Sequence, residues 1–417
     1  MQRRWLWIMP LVLLLVRPVS ASGQSDYEHR RISKTDRAVE DAVTTGAART
    51  RVIVRVKPGL RHAWAESLRS SGVRVRAEHD VVDSVSLDLS ASEIDAVARA
   101  PWIESVSSDA DVRAHGDGES SSKSRSLNGA VMATLGVPQM PYGSAPVGVA
   151  VIDSGIQASA DIPRSRIIRF VDFTGNPAGV ETDPYDDYGH GTHVAGLIGG
   201  SGDVSDGAYP GVAPNVNFVG LKVLDDSGTG STSAVIAAIQ YAIDHHDELD
   251  IRIINLSLGH PILEPAATDP LVQAVEAAVR AGIVVVVSAG NYGKNGANGT
   301  PGYAGIVSPA NAPSALTVGA TDTADTVSRL DDDVASFSSR GPTWYDGYAK
   351  PDVVAPGNRL VAAAAQGSTI VGKNPGLRVG RTLLRLSGTS MAAGIVSGAV
   401  ALMLEAHDAV VPQATLT

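Results

Sequence analysis

Short continuous runs of hydrophobic residues alternate with segments of helical spacing along the last two thirds of the chain. The runs cover residues 147–152, 216–223, 251–256, 283–288 and 316–319. Such runs are typical of parallel strands that are buried on both faces. Helical spacing of apolar residues predicts helices over 231–244 and 270–281. The alternation predicts an α/β domain with a mostly parallel sheet that is covered by helices on both faces.

A different pattern, with strand and helix periods in quick succession, fills residues 51–113. Strand-like segments occur at residues 51–56, 73–75, 85–89 and 103–106, and helical spacing occurs at 60–70 and 90–100. The second helix is predicted to begin with a capping box, Ser90-Ala-Ser-Glu93. The order β-α-β-β-α-β predicts a small ferredoxin-like α+β unit. Residues 115–126, rich in Gly, Ser and charge, then predict a flexible, protease-accessible linker.

The first 21 residues have the pattern of a secretory signal peptide. A short basic start is followed by an apolar run from Trp5 to Val16 and by the small residues Val19-Ser20-Ala21. The alternative is a membrane anchor, but twelve helical residues span roughly 18 Å, less than a ~30 Å bilayer core. We therefore expect export, cleavage after Ala21 and no membrane association of the remaining chain.

Composition and charge exclude several classes of protein. The 417 residues include no Cys, so disulfides, thiolate metal sites and cysteine nucleophiles are excluded. Residues 126–417 carry 15 basic and 27 acidic residues, whereas nucleic-acid binding needs a basic face. We therefore expect a globular protein without a nucleic-acid partner.

Polar residues that could take part in catalysis or binding follow several of the predicted strands. The carboxyl ends of the strands are where the functional groups of open α/β sheets collect. Asp153 and Asn291 lie just after strands, His190 and His193 lie in a Gly-rich junction, and Ser390 begins an apolar helix. Each has an ordinary structural alternative: a strand-end Asp is often a cap, and a Ser at a helix start is usually an N-cap. The two His could bind a metal, but no third ligand has suggestive spacing.

Taken together, these segments resemble the subtilisin-like serine proteases, whose triad has the chain order Asp, His, Ser. The matching motifs are Val-Ile-Asp153-Ser-Gly, His190-Gly-Thr-His-Val-Ala-Gly, Ser-Ala-Gly-Asn291 and Gly-Thr-Ser390-Met-Ala. The resemblance covers about residues 126–411. It implies a secreted serine endopeptidase, made as a self-cleaving precursor, that hydrolyses peptide bonds in proteins.

The resemblance also implies a domain organisation. Residues 1–21 would be the signal peptide, residues 22–125 an inhibitory propeptide with its linker, and residues 126–417 the peptidase domain. The propeptide would act as an intramolecular inhibitor, and the enzyme would cut itself between about residues 113 and 126. Because relatives usually continue through another packing helix, the peptidase domain is expected to be short at its C-terminal end. We expect a monomer that acts on protein or peptide substrates.

The family's catalytic roles are carried over residue by residue. His190 would take the Ser390 hydroxyl proton, and Asp153 would hold the imidazole in the useful tautomer. The Asn291 side-chain amide and the Ser390 backbone N–H would stabilise the oxyanion. His193 would have a packing or hydrogen-bonding role.

The resemblance implies a substrate cleft as well. Ser257, Leu258 and Gly259 would pair with an extended substrate, although Leu258 could be an ordinary core residue. Ala289 and Gly290 would form the opposite wall of the pocket for the residue before the cut. Because Gly leaves room, that pocket is expected to accept large apolar side chains.

No cofactor is expected for catalysis, and a structural calcium ion is left open without a location. The loop 199–207 is acidic and Gly-rich but lacks the ligand spacing of a known cation loop. A non-catalytic relative is a second interpretation, against which the four intact catalytic positions count. A serine esterase would need Gly-x-Ser-x-Gly, where this chain has Ala392 at the last place.

Overall fold

An antiparallel sheet of four strands organises the first part of the chain in the computed structural model, which describes residues 34–115, 128–136, 146–294 and 299–410. The elements up to residue 136 are α1 (Arg37–Thr45), β1 (Thr50–Val56), α2 (Arg61–Ser70), β2 (Val75–His79), β3 (Ser84–Leu89), α3 (Ala91–Ala98), β4 (Ile103–Ser108), β5 (Asp111–Ala114) and α4 (Asn128–Leu135). The sheet order is β2-β3-β1-β4. From β1 to β4 the elements follow the predicted order β-α-β-β-α-β.

Local signals explain how two helices of this part begin. The Ser90 side chain accepts from the Glu93 N–H while the Glu93 carboxylate accepts from the Ser90 N–H, which is the predicted capping box of α3. The sequence analysis missed α1, although Asp36 caps it by accepting from the Val39 N–H. The predicted signal peptide, residues 1–21, and residues 116–126 of the predicted linker lie outside the described residues.

The remaining elements form the larger α/β part. They are β6 (Gly148–Asp153), β7 (Ile167–Asp172), β8 (Val180–Glu181), α5 (His190–Gly199), β9 (Asn217–Lys222), β10 (Thr229–Ser231), α6 (Thr232–Asp244), β11 (Ile251–Leu256), β12 (Leu258–Pro261), α7 (Pro270–Arg280), β13 (Val284–Ser288), β14 (Val307–Ser308), β15 (Leu316–Asp322), β16 (Asp333–Val334), β17 (Val353–Pro356), β18 (Leu360–Ala363), α8 (Thr369–Lys373), β19 (Arg378–Val379), β20 (Leu383–Leu386) and α9 (Thr389–Val410).

A nine-stranded sheet forms the centre of this part. Its order is β8-β7-β9-β6-β11-β13-β15-β16, and β17 also pairs with β15. The strands β7, β9, β6, β11, β13, β15 and β17 run parallel, whereas β8 and β16 join antiparallel. The predicted fold class is therefore confirmed. The strand predicted over 316–319 continues to Asp322, because its later residues pair with β17 and β16.

Both faces of the central sheet are covered by hydrophobic packing. Along β6, Val149 and Val151 belong to one core cluster, whereas Ala150 and Ile152 belong to the cluster on the other face. The first cluster includes α5 and α9 and the second includes α6 and α7. Burial of alternate residues on opposite faces explains why the parallel strands have continuous apolar runs.

The helix α9 is a core element. Residues Thr389–Ala409 are long and apolar enough to cross a membrane by length and composition, but 67% of their most apolar window is buried inside the protein. The helix packs on α5 and on the central sheet. This burial places the N-terminus of α9 at the carboxyl edge of the sheet.

Candidate active site

An aspartate and a histidine form a buried pair at the carboxyl edge of the sheet. Asp153 is the last residue of β6 and His190 is the first residue of α5. The His190 Nδ1 atom lies 2.8 and 2.9 Å from the two carboxylate oxygens of Asp153, and neither side chain is exposed. A ring that donates its Nδ1–H to a carboxylate keeps Nε2 as its basic nitrogen. The pair therefore has the geometry of an oriented general base.

The backbone around this pair is held by a second buried carboxylate. Asp186 accepts from the Ser154 hydroxyl at 2.9 Å, from the Gly189 N–H at 2.7 Å and from the Thr192 N–H at 2.9 Å. Burial raises the pKa of Asp186, while the hydrogen bonds from Gly189 and Thr192 act in the opposite direction. Asp186 thus ties the end of β6 to the start of α5. The sequence analysis missed it, because an acid in a loop carries no signal by itself.

The glycine after His190 is required by a close approach. A Cβ atom at Gly191 would lie 2.2 Å from the Gly155 carbonyl oxygen and 3.0 Å from the Asp153 Cβ. The same glycine N–H donates to the Ser154 hydroxyl at 2.9 Å. Any larger residue would have to move the helix start away from the strand end.

Ser390 lies in the first turn of α9 and its side chain is fully buried. Its Oγ atom lies 2.7 Å from the carbonyl oxygen of His115 and 3.1 Å from that of Ser257. The structure thus places the serine hydroxyl against a carbonyl that belongs to the segment preceding residue 116.

Asn291 reaches the same carbonyl from the opposite side of the cleft. Its Nδ2 atom donates to the His115 carbonyl oxygen at 2.9 Å. Its Oδ1 atom accepts from the Thr389 N–H and hydroxyl, each at 3.0 Å, and the Gly290 N–H donates to the Thr389 Oγ1 at 3.1 Å. Because the amide oxygen is held in this way, the NH₂ group is fixed toward the carbonyl. Thr389 therefore positions the donor, a role that the sequence analysis missed.

The segment that carries this carbonyl lies in the cleft as a strand. Antiparallel β5 pairs with β12 on one side, where Ala114 faces Leu258, and with β10 on the other, where Val112 faces Gly230. The His115 N–H donates to the Ser257 carbonyl at 3.2 Å. A peptide that lies extended between two strands gains binding affinity through the hydrogen bonds of its backbone. The predicted cleft residues Ser257, Leu258 and Gly259 all lie along this segment.

The His115 side chain is buried in a pocket beside these residues. Its Nδ1 atom lies 3.0 Å from the Ser288 hydroxyl. A Cβ atom at Gly259 would lie 2.9 Å from the His115 Cε1, and one at Gly290 would lie 2.9 Å from a Val307 methyl group. Ala289, also predicted here, is fully buried next to Gly290. The sequence analysis missed His115, Ser288 and Val307, because they come from three separate segments.

Burial and two neighbouring histidines shape the charge of this pocket. Burial lowers the pKa of His115 to about 3, and the positive charges of His190 and His260 act in the same direction. The imidazole in the pocket is therefore neutral. The other histidine of the motif, His193, lies elsewhere: its Nε2 is 3.0 Å from the Leu384 carbonyl, and burial lowers its pKa to about 3.

Among the described residues, no group of three or more His, Cys, Asp or Glu side chains is placed to hold a metal ion. In the loop 199–207, Asp203 begins a short 3₁₀ helix and Asp206 follows it with φ 50°.

Comparison with known proteins gives the family of the chain. The sequence model of the subtilase family matches residues 144–416, well over half of the chain. The chain belongs to the subtilase family. It is 42% identical over 271 residues to serine protease AprX of Bacillus subtilis strain 168, covering 64% of this chain and 58% of AprX. It is 36% identical over 267 residues to subtilisin DY of Bacillus licheniformis, covering 64% and 79%.

Solved protein structures share the fold of this chain. Sphericase aligns with a TM-score of 0.53 and 27% identity over 70% of this chain and 87% of its own. The epidermin leader peptide processing serine protease of Staphylococcus aureus aligns with a TM-score of 0.62 over 88% and 90%; at 19% identity it shows the fold alone. Subtilases are serine endopeptidases with an Asp-His-Ser triad and need no cofactor for catalysis. The predicted family is therefore confirmed.

Proposed function

We propose that this protein is a secreted serine endopeptidase whose triad is Asp153, His190 and Ser390. The observation that carries the proposal is the convergence of the Ser390 hydroxyl, at 2.7 Å, and the Asn291 amide, at 2.9 Å, on one peptide carbonyl, that of His115. A nucleophile and an oxyanion donor that meet at one carbonyl are the parts that acyl transfer needs.

The chemistry follows from these positions. The Ser390 Oγ attacks the carbonyl carbon while His190 accepts the hydroxyl proton, and Asp153 stabilises the imidazolium that forms. The carbonyl oxygen becomes an oxyanion that accepts a hydrogen bond from the Asn291 side-chain amide. The tetrahedral intermediate then collapses, His190 gives its proton to the leaving amine, and an ester with Ser390 remains. Water, activated by His190, attacks that ester and releases the new carboxylate.

The first substrate in this proposal is the chain itself. The bond cut is His115–Gly116, which lies within the range of about 113 to 126 expected from the sequence. The segment through Ala114 is held by strand pairing on both sides. We infer that it stays in the cleft after the cut and acts as an inhibitor.

Contacts outside the cleft support this inhibitory role for residues 22–115. Asp109, which is buried, accepts from the Ser233 N–H at 2.8 Å and from its hydroxyl at 2.9 Å at the start of α6. The Val81 N–H donates to the Gln240 side chain on the same helix at 2.6 Å. Secretion is supported by the signal-peptide pattern of residues 1–21. The proposed substrates are proteins and peptides, and the proposed state is a monomer.

The test is hydrolysis of casein and labelling by a fluorophosphonate, a serine-directed covalent inhibitor. Ser390→Ala should abolish both. Ser397→Ala is a matched control on the same helix, because Ser397 is buried and donates to Asn255 rather than to the cleft. It should stay active and labelled. A Ser390→Ala protein that hydrolyses casein or takes up the label as the wild type does would overturn the assignment.

A further inference from the structure

We propose that the pocket beside Ser390 selects an uncharged histidine as the residue before the cut, with Ser288 as the side chain that determines this preference. The inference rests on the proposed function and names the substrate class of that site. It begins from the polar contact of His115: its Nδ1 atom lies 3.0 Å from the Ser288 Oγ, and both side chains are buried.

The hydrogen bond gives the pocket a chemical preference. Ser288 is the last residue of β13 and is completely buried, so its hydroxyl has a fixed position at the pocket. An imidazole can either donate to this hydroxyl or accept from it, depending on the tautomer. A phenyl or aliphatic side chain can do neither and would leave the buried hydroxyl without that contact. Sites built to hydrogen-bond a substrate group reject analogues that lack it.

The shape of the pocket limits the size of the side chain that it can accept. The Cβ position at Gly259 is 2.9 Å from the His115 Cε1, so the imidazole lies directly against the glycine backbone. Val307 narrows the space near Gly290, since a Cβ there would lie 2.9 Å from a Val307 methyl. A five-membered ring fits between these walls. The sequence-based expectation of a pocket for large apolar side chains rested on the space that Gly290 leaves and did not include Val307, which occupies part of that space.

Charge excludes the protonated form. The titratable groups that face the ring are His190, on α5 and paired with Asp153, and His260, on β12. Burial disfavours an imidazolium at this position, and positive charge on either histidine would repel it further. The pKa of the bound ring is accordingly lowered from 6.5 to about 3. A histidine substrate must therefore enter as the neutral base, which is the scarce form below the ordinary pKa of about 6.5.

The experiment uses the self-processed enzyme after it has been separated from the cleaved segment that ends at His115, with a series of peptides that differ only in the residue before the cut: His, Asn, Leu or Phe. We expect kcat/KM at pH 8 to be at least about tenfold higher for His than for Leu or Phe. The His-to-Leu ratio of kcat/KM should fall about tenfold per pH unit below about 6.5. Protonation of the general base His190 lowers kcat/KM for both substrates and cancels in this ratio.

Two variants test the residues named. Ser288→Ala should lower the His-to-Leu ratio about tenfold, and Val307→Gly should raise kcat/KM for Phe relative to His. The ratios are measured within each variant, so partial misfolding does not change them. A wild-type preference for Leu or Phe, a ratio independent of pH, or an unchanged ratio in Ser288→Ala would overturn the inference. If no peptide is cleaved and no fluorophosphonate label is taken up, the proposed function itself fails.

Discussion

The amide of Asn291 offers a quantitative test of the proposed oxyanion site. Its Nδ2 atom donates to the His115 carbonyl oxygen at 2.9 Å, the oxygen that would carry negative charge in the transition state. Asn291→Leu keeps a similar volume and removes the donor. Loss of one such donor lowers kcat by about 10²–10³, a magnitude measured in subtilisin, a member of the same family, rather than derived from this structure. KM should change little, because the neutral ground-state carbonyl gains less from the bond.

The second perturbation acts on the residue that orients the amide. Thr389 donates to the Asn291 Oδ1 twice, from its N–H and from its hydroxyl, each at 3.0 Å. Thr389→Val keeps the shape and the backbone bond but removes the hydroxyl. Because one neutral hydrogen bond contributes about 0.5–1.5 kcal/mol, we expect kcat to fall roughly 2- to 10-fold. In an Asn291→Leu background the same change should have a smaller effect, since no amide is left to orient and only the bond from the Gly290 N–H is lost.

The assay is the rate of hydrolysis of a peptide with a chromogenic leaving group, over a range of concentrations that separates kcat from KM. Thermal unfolding of each variant serves as the control for folding. The reasoning is refuted if Asn291→Leu retains more than about a tenth of wild-type kcat, or if the effects of the two changes multiply in the double variant.

Three further predictions concern stability and packing. Lys222 is buried and donates to two backbone carbonyls that Lys222→Met would leave without this donor, so the variant should lower the free energy of unfolding by about 1–3 kcal/mol; an unshifted urea midpoint would contradict this. Burial and the neighbouring Asp269 raise the pKa of Glu264, so the fold holds it protonated and loses stability as pH rises above the ordinary value near 4.5. Between pH 5 and 9 the melting temperature of Glu264→Gln should therefore fall less than that of the wild type. Parallel curves of melting temperature against pH for the two proteins would argue against this role of Glu264. Gly191→Ala should displace His190 and lower kcat, with a loss of about 1–3 kcal/mol in unfolding free energy; full activity would show that the helix start can move freely.

Local sequence signals predicted the central sheet and the four polar positions at its edge. Continuous apolar runs identify buried parallel strands because both faces are covered: every residue of Gly148–Asp153 is buried, and successive residues from Val149 to Ile152 belong alternately to the two core clusters. Gly-rich junctions mark Asp153 and His190 because the backbone approaches closely there. The end of the strand Leu316–Asp322 was less predictable, because pairing with neighbouring strands rather than hydrophobicity extends it.

The occupant of the cleft could not be predicted from local pattern. The strand Asp111–Ala114 is four residues long, and its partners lie more than 100 residues away along the chain. The pocket around His115 is likewise assembled from Ser288 and from the segment near Val307. The supporting roles of Asp186, Thr389 and Lys222 depend on contacts between distant segments as well.

The most direct test of the central claim is the N-terminal sequence of the protein purified after expression of the full chain. If Ser390 attacks the carbonyl of His115, the mature wild-type enzyme begins at Gly116, and mass spectrometry finds a separate fragment that ends at His115. The Ser390→Ala precursor should stay uncut at this bond under the same conditions. A mature protein that begins elsewhere, or a Ser390→Ala precursor that is cut at His115–Gly116 at the wild-type rate, would contradict the account.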